Sequence, residues 1–76
     1  MHARLRELRS GEVAFVERVQ ANEASAKRLA DMGFIHGARL EMLRPGRPCI
    51  IRVEDTYVGL GEPFQRSILI GPSNVE

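Results

Sequence analysis

From Ala26 to Leu43 the apolar side chains change their spacing from three-to-four residues to two, and the change falls on two glycines, Gly33 and Gly37. Ala26, Leu29, Ala30 and Gly33 share one face at helical spacing, which predicts a helix ending at Gly33. Asn22 supplies the start: its side-chain oxygen can accept from a free N–H of the first turn, and Glu23 complements the positive end of the helix dipole. The helix should run from Asn22 to about Met32. Gly33 then takes the left-handed C′ position that only glycine fills without a Cβ penalty, and Phe34, at C″, folds back onto Leu29. His36-Gly37 suits the centre of a type II turn, with glycine supplying the positive φ. A strand over residues 38–43 follows, with Leu40 and Met42 inward and Arg39 and Glu41 outward.

The rest of the chain is short alternating runs between turn residues. The first is expected from Glu12 to Val19. Its parity is mixed: Val13, Phe15 and Val19 fall on one side and Ala14 and Val16 on the other, which a bulge near Glu17-Arg18 reconciles. Ala14, Val16 and Val19 are expected inward, leaving Phe15 partly exposed. After the Pro45-Gly46 turn, Cys49 to Val53 alternates Cys49, Ile51 and Val53 against Ile50, Arg52 and Glu54. A turn at Glu54-Asp55 makes a hairpin with Thr56 to Leu60, whose Val58 and Leu60 point inward. A helical turn opens at Glu62-Pro63, with proline tolerated in the first turn, and Ser67 to Ile70 closes the sheet.

Leu8-x-x-Gly11-Glu12, Arg28-Leu29-x-x-Met32-Gly33-Phe34-x-x-Gly37, Ile51-Arg52-Val53, Val58-x-Leu60 and Ile68-Leu69-Ile70 together resemble the FeoA family across nearly the whole chain. These are small SH3-like β-barrels that accompany the bacterial ferrous-iron transporter FeoB. The resemblance implies a single mainly β domain over residues 1–76. It would be a five-stranded, strongly bent SH3-like barrel, with one helix inserted after the first long strand and a helical turn before the last. The favoured inward set for the first strand follows this family pattern more than the periodicity.

Composition narrows the function classes. A chain of 76 residues buries only about 60% of the surface it exposes when unfolded, which leaves little for a deep active-site cleft. Eleven basic residues against ten acidic ones give a net charge of +1, too little for a general pull toward nucleic acid or anionic lipid. Arg4, Arg6 and Arg9 crowd the N-terminal segment, and Arg44, Arg47 and Arg52 flank the Pro-Gly loop. The bland reading of both clusters is a solvated surface. One cysteine excludes an internal disulfide framework and points to a reducing compartment, the cytoplasm. No apolar run approaches the ~18 residues that a membrane span requires, so no direct membrane insertion is expected.

Metal and catalytic chemistry are poorly supplied. His2, His36 and Cys49 are the soft or borderline ligands, with no C-x-x-C, no spaced histidine pair and no convergent carboxylates. Cys49 shares the parity of Ile51 and Val53 and reads as a small buried apolar residue. No metal site and no cofactor are therefore expected. No Ser-His-acid or paired-carboxylate arrangement stands out, and Gly59-x-Gly61 lacks the third glycine and helix start of a dinucleotide loop. The chain reads as a non-enzyme.

Recognition remains. Phe15, Leu43, Ile50 and Tyr57 are apolar residues that so small a barrel cannot hide, and a contiguous patch of them would mark a protein interface. Met32, beside His36 and Arg39 at the helix end, adds a flexible apolar contact. The expected partner-binding set is Met32, Phe34, His36, Arg39, Ile50 and Tyr57. The resemblance implies that the partner is the cytosolic portion of a FeoB-type membrane iron transporter, with a weak homodimer also compatible. The same fold occurs as the C-terminal module of iron-dependent repressors, but the DNA-binding helices are missing here. A small-barrel nucleic-acid binder using Arg44, Arg47, Arg52 and Tyr57 would need more charge and more than four aromatics. A proline-rich-peptide binder would need a tryptophan-lined groove.

Overall fold

The computed structural model describes residues 3–72. The chain order is β1 (Ala3–Arg4), a 3-10 turn (Leu5–Glu7), β2 (Val13–Val19), α1 (Glu23–Asp31), β3 (Arg39–Arg44), β4 (Cys49–Val53), β5 (Thr56–Leu60), α2 (Glu62–Ser67) and β6 (Ile68–Gly71). One antiparallel sheet runs in the order β1-β6-β2-β3-β4-β5. The architecture is the small, mainly β, SH3-like fold expected. Two details differ. The two-residue β1 adds a sixth strand beside β6, and no ladder joins β5 to β1 among the described residues, so the sheet bends without closing its hydrogen bonding.

Local chemistry accounts for each boundary. Asn22 Oδ1 accepts from the Ser25 N–H at 2.8 Å, which caps the start of α1. At the other end Gly33, with φ 108°, lets its own N–H reach Ala30 O and the Phe34 N–H reach Leu29 O, each at 2.9 Å. These are the two bonds of a Schellman cap, and they draw Phe34 and Leu29 together into the core. Gly37, with φ 87°, occupies the third position of the turn that the Ala38 N–H to Ile35 O bond closes. The turn continues the ladder onto β2, because the Gly37 N–H donates to Val16 O and the Val16 N–H to Ala38 O.

In β2 the register slips between Val16 and Arg18 against β6, so Glu17 is the extra residue that reconciles the two parities. Ala14 and Val16 are buried, Val19 packs on the core and Phe15 is half-buried. A second slip, between Met42 and Arg44 against β4, makes Leu43 the extra residue of β3. The inner face is apolar: Leu40, Met42, Cys49, Ile51, Val53, Val58 and Leu60 meet Leu29, Phe34 and Ile68. Leu5, from the 3-10 turn, plugs one end. Burying side chains of this size contributes about 1.5–3 kcal/mol each. Among the described residues no helix is long and apolar enough to cross a membrane.

Candidate docking surface

The inward parity of the strands decides what faces out. With Leu40 and Met42 buried, β3 turns Arg39 and Glu41 outward. With Cys49, Ile51 and Val53 buried, β4 presents Ile50 and Arg52, and β5 presents Tyr57 and Gly59. The register aligns Val13, Glu41, Arg52 and Tyr57 in one row across four strands. Ile50 lies opposite Gly59, whose missing side chain opens the space into which Ile50 leans; a Cβ there would sit 3.6 Å from Ile50 Cδ1. Phe15 lies opposite Arg39. The face therefore carries an apolar ring, Val13, Phe15, Ile50 and Tyr57, around a charged pair. Tyr57 is 68% exposed and Val13 40%.

The charged pair is Arg52 and Glu41, joined at 2.7 Å through one guanidinium nitrogen. Both are partly covered by their neighbours. Arg52 Nε is buried without a partner, so this guanidinium is held at one corner rather than across its fork.

Of the expected docking residues, the sheet brings Arg39, Ile50 and Tyr57 onto this face. Phe34 is corrected: it is 1% exposed, held inside by the cap that places its N–H on Leu29 O, and can touch no partner. Met32 is half-buried against the core, and His36 is exposed on the turn that feeds β3, at the Arg39 end of the face. Ile35, on the same turn and 57% exposed, was not among the expected residues. Its signal was available, since a type II turn centred on His36-Gly37 leaves its first residue at a corner.

A second concavity escaped sequence reasoning. A cleft of about 490 Å³ lies between the 3-10 turn, the β3–β4 loop and α2, lined by Arg6 and Arg47, by Glu7 and Glu62, and by Pro45, Gly46 and Gln65 over Met42 and Cys49. Arg6, Arg47 and Arg66 all approach Glu62 Oε2, at 3.8, 3.9 and 4.0 Å. Gln65 is only 3% exposed, and its Nε2 donates to Gly46 O at 2.9 Å and Leu60 O at 2.8 Å. The two arginine clusters seen in the sequence are thus split: Arg6 and Arg47 meet here, while Arg52 belongs to the outer face. Cys49 is a free thiol at the cleft floor, buried and pushed above its ordinary value by that burial, with a backbone hydrogen bond at Leu60 acting the other way.

His2 lies outside the described residues. Among those described, no three His, Cys, Asp or Glu side chains gather as a set able to hold a metal ion.

Comparisons with known proteins place this geometry. The family model for the FeoA domain matches residues 3–72. A FeoA protein from Chlorobium tepidum is 30% identical, with 92% of this chain and 70% of that one superposing at a TM-score of 0.84. A zinc-complexed FeoA from Stenotrophomonas maltophilia, put forward as an SH3-domain protein that activates ferrous iron transport, is 30% identical over 91% of this chain and 89% of its own, at 0.81. A manganese-dependent transcriptional repressor superposes at 0.86 over 93% of this chain and 41% of its own; at 21% identity it shows the shared fold alone. Curated protein sequences gave no match. With the model covering all but the ends of the chain and two FeoA proteins at 30% identity folding the same way, this chain belongs to the FeoA family.

Proposed function

We propose that this protein is a cytoplasmic accessory factor of ferrous-iron uptake that docks on the cytosolic portion of a FeoB-type GTP-binding transporter, catalyses no reaction and carries no iron itself. The observation that carries the reading is the outer sheet face. Tyr57 stands 68% exposed in a row with Val13, Glu41 and Arg52, flanked by Ile50 and Phe15. An exposed aromatic beside aliphatic side chains and a half-buried ion pair is the composition of an interface centre, where a large ring supplies contact area at low entropy cost. Family membership and the Stenotrophomonas protein's suggested role in ferrous iron transport support iron uptake as the setting. Titrating the purified cytosolic domain of the transporter against this protein tests it. Saturable binding that Tyr57→Ala weakens at least tenfold is expected; absence of binding in every nucleotide state would overturn the reading.

The repressor-type module is the second reading, favoured by the fold shared with the manganese-dependent repressor. It requires that the module pack against a DNA-binding domain, and sequence-specific DNA binding that weakens as salt rises would favour it.

A further inference from the structure

Strand β5 is an open edge of the sheet: among the described residues β4 is its one ladder neighbour. The direction of its main-chain groups follows from Glu54. The Glu54 N–H donates to Arg39 O on β3, so Val53 turns its own N–H and C=O the other way, toward β5, and so does Ile51, two residues earlier. Val53 faces Thr56 and Ile51 faces Val58, which ties Thr56 and Val58 to β4. Tyr57 and Gly59, which alternate with them, therefore point N–H and C=O out of the sheet, and no other main-chain bond reaches either residue among those described.

Nothing in β5 blunts this edge. Thr56–Leu60 carries no charge and no proline, and its register with β4 runs unbroken along the strand. The opposite edge, β1, is two residues long and runs straight into the 3-10 turn. A straight, uncharged edge with free donors and acceptors is a template for a further strand.

The side chains say which strand. Val58 is the middle residue of Thr56–Leu60, so an antiparallel copy of β5, related by a two-fold axis at Val58, sets Tyr57 opposite Gly59 of the second copy and Gly59 opposite the second copy's Tyr57. Both pairs are in hydrogen-bonding phase, and each residue exchanges its N–H and C=O with the one opposite. Tyr57 and Gly59 share the outer face, where Ile50 leans into the space that Gly59 leaves. The largely exposed ring of Tyr57 would lie over Gly59 of the second copy and against its Ile50, an aromatic side chain covering a glycine across a strand pair. An unrelated extended segment would satisfy the main chain alone, whereas β5 supplies a ring for the glycine and receives one in return.

We infer that β5 is a self-association edge, on which a second copy of this chain pairs antiparallel about Val58. The inference stands on main-chain directions and register and does not depend on the transporter reading. One strand edge is a small interface, so the dimer is transient and forms at high protein concentration.

The test is amide hydrogen exchange of the whole protein, read residue by residue by NMR from micromolar to millimolar concentration, with sedimentation velocity on the same samples. The Tyr57 and Gly59 amides should exchange fast in dilute protein and slow at least twofold as concentration rises, while Val58, bonded to β4, stays slow throughout. The sedimenting mass should climb toward that of two chains. Gly59→Pro removes an outward N–H that β4 does not use, and Gly59→Glu keeps that N–H but fills the place of the ring, its Cβ 3.6 Å from Ile50 Cδ1 in ordinary contact. Each should weaken self-association at least tenfold. Exchange and mass that ignore concentration would overturn the inference, as would association that protects other amides and leaves Tyr57 and Gly59 unchanged. Protection of these two amides by the transporter's cytosolic domain, but not by rising concentration of this protein, would overturn the second copy as the occupant.

Discussion

The N–H of Arg39 donates to Glu54 Oε2 at 3.0 Å while its carbonyl accepts from the Glu54 N–H, also at 3.0 Å, so one residue of the β4–β5 hairpin turn satisfies both main-chain groups at the first position of β3. Glu54 does this with φ at 53°, in the left-handed region that costs a side-chain-bearing residue about 1–2 kcal/mol. The carboxylate bond and the backbone conformation therefore act in opposite directions on stability. Glu54→Ala should lower unfolding free energy by about 1 kcal/mol, since it loses the bond and keeps the strained φ. Glu54→Gly should lose less, because glycine removes the strain. Urea unfolding of the two variants decides it, and a glycine variant weaker than the alanine one would show that the strain is not felt.

Gly33 is the residue on which the helix, the turn and the core all depend. Its φ of 108° is unavailable to alanine without strain, and a Cβ would also stand 3.4 Å from Val53 Cγ1 and 3.6 Å from Cγ2. Gly33→Ala should cost on the order of 1–2 kcal/mol or more. The contrast is Gly11→Ala, where φ is 90° but a Cβ would meet nothing within 4 Å, and only the backbone term applies. Thermal unfolding should rank Gly33→Ala below Gly11→Ala; the reverse order would remove Val53 from the account.

The Cys49 thiol supplies a pH dependence with a defined sign. Burial favours its neutral form in the folded state, so the folded value lies above the ordinary 9.0, at which the unfolded chain begins to give up the proton. The stability carried by the neutral thiol is fully present below about pH 9 and is lost as pH rises through the folded value. The stability difference between the natural protein and Cys49→Ala should be constant from neutrality to about pH 8 and should narrow above that. Alkylation by iodoacetamide should be slow in buffer and fast in urea. A thiol equally reactive in both would contradict its burial.

The residues explain how much of this could be read from the sequence. Strands β4 and β5 have the expected bounds because Cys49, Ile51 and Val53, then Val58 and Leu60, alternate cleanly around a two-residue turn. Helix α1 was legible from Asn22 and Gly33, whose roles are local. β1 was not, since Ala3–Arg4 has no periodicity and becomes a strand only by pairing with Leu69 and Ile70. The helical turn at Glu62-Pro63 proved to run to Ser67, which brings Gln65 inward; a buried glutamine has no hydrophobic signature. Phe34 was counted both as a cap residue and as a docking residue, and the cap prevails because its two hydrogen bonds fix the chain direction. The cleft draws on residues 6, 7, 47, 62 and 65, which only the 3-10 turn, the β3–β4 loop and α2 bring together.

The outer sheet face can be probed by mutation because Tyr57, the side chain that stands furthest out of it, does not support the core: it is 68% exposed. Substitutions at such positions usually change stability by no more than about 0.5 kcal/mol, so any loss of binding reports contact rather than folding. Tyr57→Ala should weaken association with the transporter's cytosolic domain at least tenfold while its urea midpoint stays close to that of the natural protein. If Tyr57→Ala leaves that association intact, the outer sheet face is not the docking surface.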